Sequence, residues 1–64
     1  MPIIRVEMFK GRSKEQKRDM VRELTRAFVE TAGGNPASVQ IVISDVDKDD
    51  WGSGGELASD KFPD

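Results

Sequence analysis

Apolar and polar residues alternate over the first stretch of the chain, with Ile4, Val6 and Met8 on one side of an extended backbone and Ile3, Arg5, Glu7 and Phe9 on the other. A period of two rich in β-branched residues predicts a strand over residues 2–9. The period then changes. After a turn at Lys10, Gly11 and Arg12, the residues Met20, Val21, Leu24, Ala27, Phe28 and Thr31 recur at helical spacing, while Lys14, Arg18, Arg22, Arg26 and Glu30 fall toward water. Ser13 followed three residues later by Gln16 is a capping-box signature, so the helix starts at residue 13 or 14. Gly33 and Gly34 supply the positive φ that ends a helix, and Pro36 prevents its resumption. Residues 39–46 are apolar at so many successive positions that a strand covered on both faces is expected.

Strand, helix and strand joined by short connections predict an α/β (α+β) fold: one β-α-β unit with parallel neighbouring strands. Glycines around Trp51 then predict a shaped loop or hairpin near the end of the chain. Sixty-four residues hold one domain, over residues 1–64, and a chain of this length buries only about 60% of the surface its unfolded form exposes. Small domains usually gain stability from disulfides, a metal or oligomerisation. The chain has no Cys and no His, which leaves self-association as the expected route and excludes Cys and His nucleophile–base systems. Without an apolar run long enough for a membrane span or a signal-peptide core, a soluble, cytoplasmic protein is expected.

The net charge of -2 hides an uneven distribution. Residues 1–32 hold eight Lys and Arg against five Asp and Glu, and residues 33–64 hold two against seven. The positive side chains are interleaved with Glu15, Asp19, Glu23 and Glu30, as on a solvated helix, which argues against a nucleic-acid face. Pairing of unlike halves between copies makes economical use of the asymmetry.

Two residues stand where chemistry is available. Pro2 follows the initiator Met, and a small residue there generally permits removal of Met, leaving a secondary amine. With a pKa near 8, such an amine becomes a neutral general base once apolar walls or a guanidinium disfavour its ammonium form. The other reading of Pro2 is a strand-edge proline with no N–H to donate. Arg12, at a turn before a helix N-terminus, is either an exposed turn residue or a planar fork for a carboxylate. Strand geometry separates the two by roughly 25 Å within one chain, too far to share a small substrate. Antiparallel pairing of the first strands of two copies would bring Arg12 of one near Pro2 of the other.

Trp51 is either a plug for an interface or the apolar wall of a pocket. The glycines after it lack the Lys-Ser/Thr ending of a phosphate loop. The acidic run at residues 45–50 lacks the glycine and glutamate offsets of a calcium loop.

Pro2-Ile3 at the start, Gly11-Arg12-Ser13, Glu15-Gln16-Lys17, residues 36–39, and the run from Trp51 to Ser59 together resemble the 4-oxalocrotonate tautomerase family, nearly end to end. The resemblance implies short β-α-β chains assembled as hexamers, each a trimer of dimers, and no metal or organic cofactor. It implies Pro2 as the general base, Arg12 of a neighbouring subunit as anchor for a carboxylate substrate, and Trp51 and Phe9 as apolar walls. The reaction it implies is ketonisation of a small 2-hydroxy-dienoate such as 2-hydroxymuconate, in the breakdown of aromatic compounds. Gln40 stands where the family commonly has a second arginine, and an amide offers neither a full charge nor a two-pronged contact. Two alternatives accompany this reading. One is hydration, dehalogenation or decarboxylation by the same proline, with a carboxylate from residues 45–50 activating water. The other is a non-catalytic oligomeric module if Met1 is retained.

Overall fold

The computed structural model describes residues 1–63. Strand β1 (Ile3–Phe9) leads into helix α1 (Lys14–Ala32), a short 3-10 turn (Pro36–Ser38) and strand β2 (Gln40–Val46). A second 3-10 turn (Lys48–Asp50) precedes the small strands β3 (Gly52–Ser53) and β4 (Glu56–Leu57), and a single turn of helix, α2 (Ala58–Lys61), follows. The β1 and β2 strands are parallel, in a register running from Ile3 beside Gln40 to Phe9 beside Val46. The expected β-α-β unit is therefore present.

The helix begins where the capping signature places it. Ser13 Oγ accepts from the Gln16 N–H at 3.1 Å, and Gln16 Oε1 accepts from the Ser13 N–H at 2.9 Å. At the other end Gly33, at φ 81°, donates its N–H to the Val29 carbonyl at 2.9 Å. Along the outer face Arg22 pairs with Asp19, and Arg26 with both Glu23 and Glu30. The hydrogen bond from Arg26, and its charge, hold the Glu23 carboxyl below its ordinary pKa. A depressed carboxylate pKa contributes stability above the unfolded value and loses it on acidification. These groups are exposed, so the contribution is small.

Two expectations are corrected by the burial pattern. β2 is not covered on both faces: Ile41 and Ile43 are half-buried, whereas Gln40, Val42 and Ser44 are exposed. β1 alternates in step, with Ile4, Val6 and Met8 half-buried and Ile3, Arg5 and Glu7 exposed. One helix shields one face of a two-stranded sheet and leaves the other to water. For the same reason the helix stripe is narrower than its spacing suggests. Met20, Leu24 and Phe28 are half-buried with Thr25 and Val29, but Val21, Ala27 and Thr31 are exposed. Lys17, ion-paired to Asp45, ties the first turns of the helix to the end of β2.

The result is a chain without a closed core. Among the described residues only Ala58 is fully buried, and Ile3 and Val42 are 57% and 45% exposed. The radius of gyration is 14.8 Å, against about 11 Å for a compact chain of this length. Its extents of 42 × 24 × 15 Å describe a flat plate. With so little tertiary burial, local helix signals carry unusual weight. Ser13→Ala is expected to lower unfolding free energy by about 1 kcal/mol, read from denaturant titration at fixed protein concentration.

Candidate functional site

The five residues singled out by sequence fall into two groups at opposite ends of β1. At its beginning, Pro2 is half-buried, and its carbonyl accepts the Gln40 N–H at 2.9 Å. The parallel register makes this contact, because Gln40 opens β2 beside Ile3. Met1, which precedes Pro2, is 90% exposed.

At the other end, Phe9 and Trp51 meet edge to face with ring centroids 4.6 Å apart. Phe62 adds a third ring 6.5 Å from Phe9, and Lys48 Nζ lies 5.8 Å from the Phe9 ring centre while donating to the Phe62 carbonyl at 2.9 Å. Arg12 turns back over this end of the strand, its Nη1 donating to the Phe9 carbonyl at 3.2 Å. Its reach is set by Gly11, whose φ of 130° turns the backbone between strand and helix in a way that L residues rarely adopt.

The hairpin holds Trp51 in place. Gly54 and Gly55, at φ 61° and 86°, form the two-residue turn between β3 and β4 that the glycine run predicts. Positive φ at both central positions matches the twist of paired strands. The turn returns the chain so that the Ala58 N–H donates to the Trp51 carbonyl at 2.7 Å, with Ala58 buried beneath. A flat ring on a backbone pinned from both sides makes a fixed wall.

Two hollows mark the surface. One, of about 270 Å³, is lined by Glu7, Val46, Asp50, Trp51 and Gly52, so it adjoins the aromatic cluster on the open face of the sheet. The other, of about 510 Å³, lies between α1 and the Pro36 turn, along Val21, Thr25 and Val29. It contains none of the singled-out residues. Chemistry favours the smaller hollow as part of a site, and the larger is apolar helix surface that a single chain leaves uncovered.

Sequence reasoning did not anticipate Glu7, Phe62 or Lys48 in this neighbourhood, and offered Asp50 only as one of the carboxylates of residues 45–50. Glu7 was legible as a charge on the same strand face as Phe9. Phe62 was signalled only by being a lone aromatic near the end of the chain. Among the described residues no group of His, Cys, Asp and Glu is arranged to hold a metal.

Taken with these placements, comparisons with known proteins define the class. Residues 2–61 match the family model described as tautomerase enzyme. A probable tautomerase of Staphylococcus epidermidis is 43% identical over 95% of this chain and 100% of its own length. The 2-hydroxymuconate tautomerase of Comamonas testosteroni is 42% identical over 94% of this chain and 95% of its own length. Among solved structures, a heterohexamer 4-oxalocrotonate tautomerase from Chloroflexus aurantiacus superposes with a TM-score of 0.85 at 32% identity, covering 92% of this chain and 95% of that one. The chain belongs to the tautomerase family and is 4-oxalocrotonate tautomerase-like in fold. It is accordingly an isomerase enzyme, which sets aside the non-catalytic alternative.

Trp51 is the only tryptophan, so its emission reports the cluster. Phe9→Ala is expected to shift that emission to longer wavelength by admitting water to the indole face, and an unshifted spectrum would contradict the contact.

Proposed function

We propose that removal of Met1 makes the Pro2 nitrogen the general base for ketonisation of a small 2-hydroxy-dienoate or related enol acid, such as 2-hydroxymuconate. Pro2 takes the proton from the 2-hydroxyl, and the oxygen's electron pair closes the 2-oxo group. The double bonds move one place along the chain, and the prolinium returns the proton to a carbon. Atoms and electrons balance with no oxidant, metal or organic cofactor. The observation that carries this reading is the setting of Pro2. It is half-buried, fixed through its carbonyl by Gln40, and preceded by the exposed Met1. While Met1 remains, that nitrogen is an amide without a usable lone pair.

In this reading Arg12 anchors the substrate carboxylate, and Phe9 and Trp51 form the apolar wall that disfavours the ammonium form of Pro2. Because these groups lie at the far end of β1 from Pro2, the complete site is shared between copies of the chain, which acts as one unit over residues 1–64. We infer a homohexamer built as a trimer of dimers. The open sheet face, the flat shape and the hexameric relative support that inference. The setting we infer is the cytoplasm, in the breakdown of aromatic compounds. Gln40 beside Pro2 supplies one neutral hydrogen bond to the developing oxyanion.

A second reading has one observation in its favour. Asp50 and Glu7 line the hollow beside Trp51, where a carboxylate would activate water for addition to a haloacrylate. Assaying a haloacrylate beside an enol acid separates the two.

Two variants test the leading reading. Pro2→Ala is expected to lower kcat for enol-acid ketonisation by about a hundredfold or more, followed by loss of dienol absorbance, while assembly by sedimentation is unchanged. Gln40→Arg is expected to raise kcat/KM for a dicarboxylate about ten- to a hundredfold and to change a monocarboxylate much less, since charge-assisted bonds exceed neutral ones. Undiminished turnover in Pro2→Ala would refute the base.

A further inference from the structure

The outer edge of β1 carries a self-complementary code. The Pro2 carbonyl and the Lys10 N–H both bond to β2, which fixes the parity of the strand. In a parallel ladder, alternate residues of a strand direct both backbone groups to the same neighbour. Even-numbered residues of β1 therefore face β2, and Ile3, Arg5, Glu7 and Phe9 turn their N–H and C=O groups to the free edge. The side chains of Ile3, Arg5 and Glu7 all lie on the exposed sheet face. Among the described residues Arg5 and Glu7 enter no ion pair or hydrogen bond.

A second copy adding antiparallel along this edge has few registers to choose from. Odd residues must oppose odd residues, or the backbone groups do not meet. Centred on Arg5, the pairing sets Arg5 against Arg5 and overlaps only residues 3–7. Centred on Glu7, it sets Glu7 against Glu7 and overlaps only residues 5–9. Like charges directly opposite are destabilising. Centred on Val6, the whole of β1 pairs. Ile3 meets the partner's Phe9, Ile4 meets the partner's Met8, and Arg5 meets the partner's Glu7, twice by symmetry. The odd-numbered residues then form the hydrogen-bonded pairs and the even ones the non-bonded pairs.

We propose that Arg5 and Glu7 are positioning residues, whose reciprocal cross-strand ion pairs with a second copy of this chain lock the Val6-centred register. This rests on the shared-site reading above and deepens it. In this register Pro2 stands beside the partner's Lys10, one residue from the partner's Phe9 and two from the partner's Arg12. Pro2 thus meets the aromatic wall that its own chain holds about 23 Å away. A slip of one pairing step moves every such contact by two residues, and the site comes apart without any site residue being changed.

Charge reversal tests this in a form that a merely structural role does not reproduce. Arg5→Glu alone sets Glu against Glu in both pairs, and Glu7→Arg alone sets Arg against Arg. Each is expected to weaken dimerisation roughly tenfold or more. Mixed in equal amounts, the two single variants restore both attractive pairs, because one chain is acidic and the other basic at positions 5 and 7. Native mass spectrometry should then show the mixed dimer in excess over either parent dimer. The double variant Arg5→Glu with Glu7→Arg should self-associate like the original. Single variants that dimerise normally, or a mixture that forms the statistical distribution, would overturn the proposal. Turnover of an enol acid is measured on the same samples. Mixed-dimer preference without turnover in any sample, the original included, counts against the proposed reaction and upholds the register.

Discussion

A two-stranded parallel sheet has two faces and two free edges, and one nineteen-residue helix covers a single face. Every other property of this molecule follows from that shortfall. Ile3 and Val42 remain exposed, Ala58 alone is fully buried among the described residues, and the plate is more extended than is usual for a compact chain of its length. Parallel sheets are ordinarily covered on both faces. What covers the second face in the proposed assembly is more of the same chain. Stability and site completion then become one event, sensitive to protein concentration, as for any protomer without a core of its own.

Local signals in the sequence were legible because each is settled within a few residues. Ser13 and Gln16 announce the helix start, Gly33 its end, and Gly54-Gly55 the hairpin, each through a backbone constraint that needs no distant partner. The parallel pairing of β1 and β2 follows from a short crossover. What misled was burial. The apolar run at Val39, Ile41, Val42 and Ile43 reads as covered on both sides, and in the single chain it is not. The residues were chosen for surroundings that one chain does not supply. The same holds for Val21, Ala27 and Thr31, whose helical spacing points to a broader buried stripe than α1 buries here.

The candidate site divides along the same line. Pro2 and Gln40 meet through the β1–β2 register, and Trp51 meets Phe9 where the end of the chain packs on β1, so neither half was readable from one local segment of sequence. The separation of the halves was predictable, as strand length times rise per residue. The meeting of Glu7, Asp50 and Phe62 was not legible, because it depends on how the Lys48–Asp50 turn folds the end of the chain over Phe9. Gln40 shows the limit of reading roles from position alone. Its backbone N–H anchors Pro2 whatever its side chain is, so a substitution there changes the charge of the site without disturbing its frame.

Exposed strand edges are hazards, since any extended chain can add to them, and charged side chains are the usual deterrent. On β1 the deterrent and the recognition code are the same two residues. Arg5 and Glu7 place one positive and one negative charge on an otherwise apolar strip. They oppose slipped copies of the strand and favour the symmetric, full-length pairing. A pair of apolar residues at these positions would bury more surface but tolerate several registers, all but one of which separate Pro2 from the aromatic wall. For a site divided between chains, uniqueness of register matters more than strength of association. Opposite charges two residues apart, equidistant from Val6, are the smallest change of sequence that secures it.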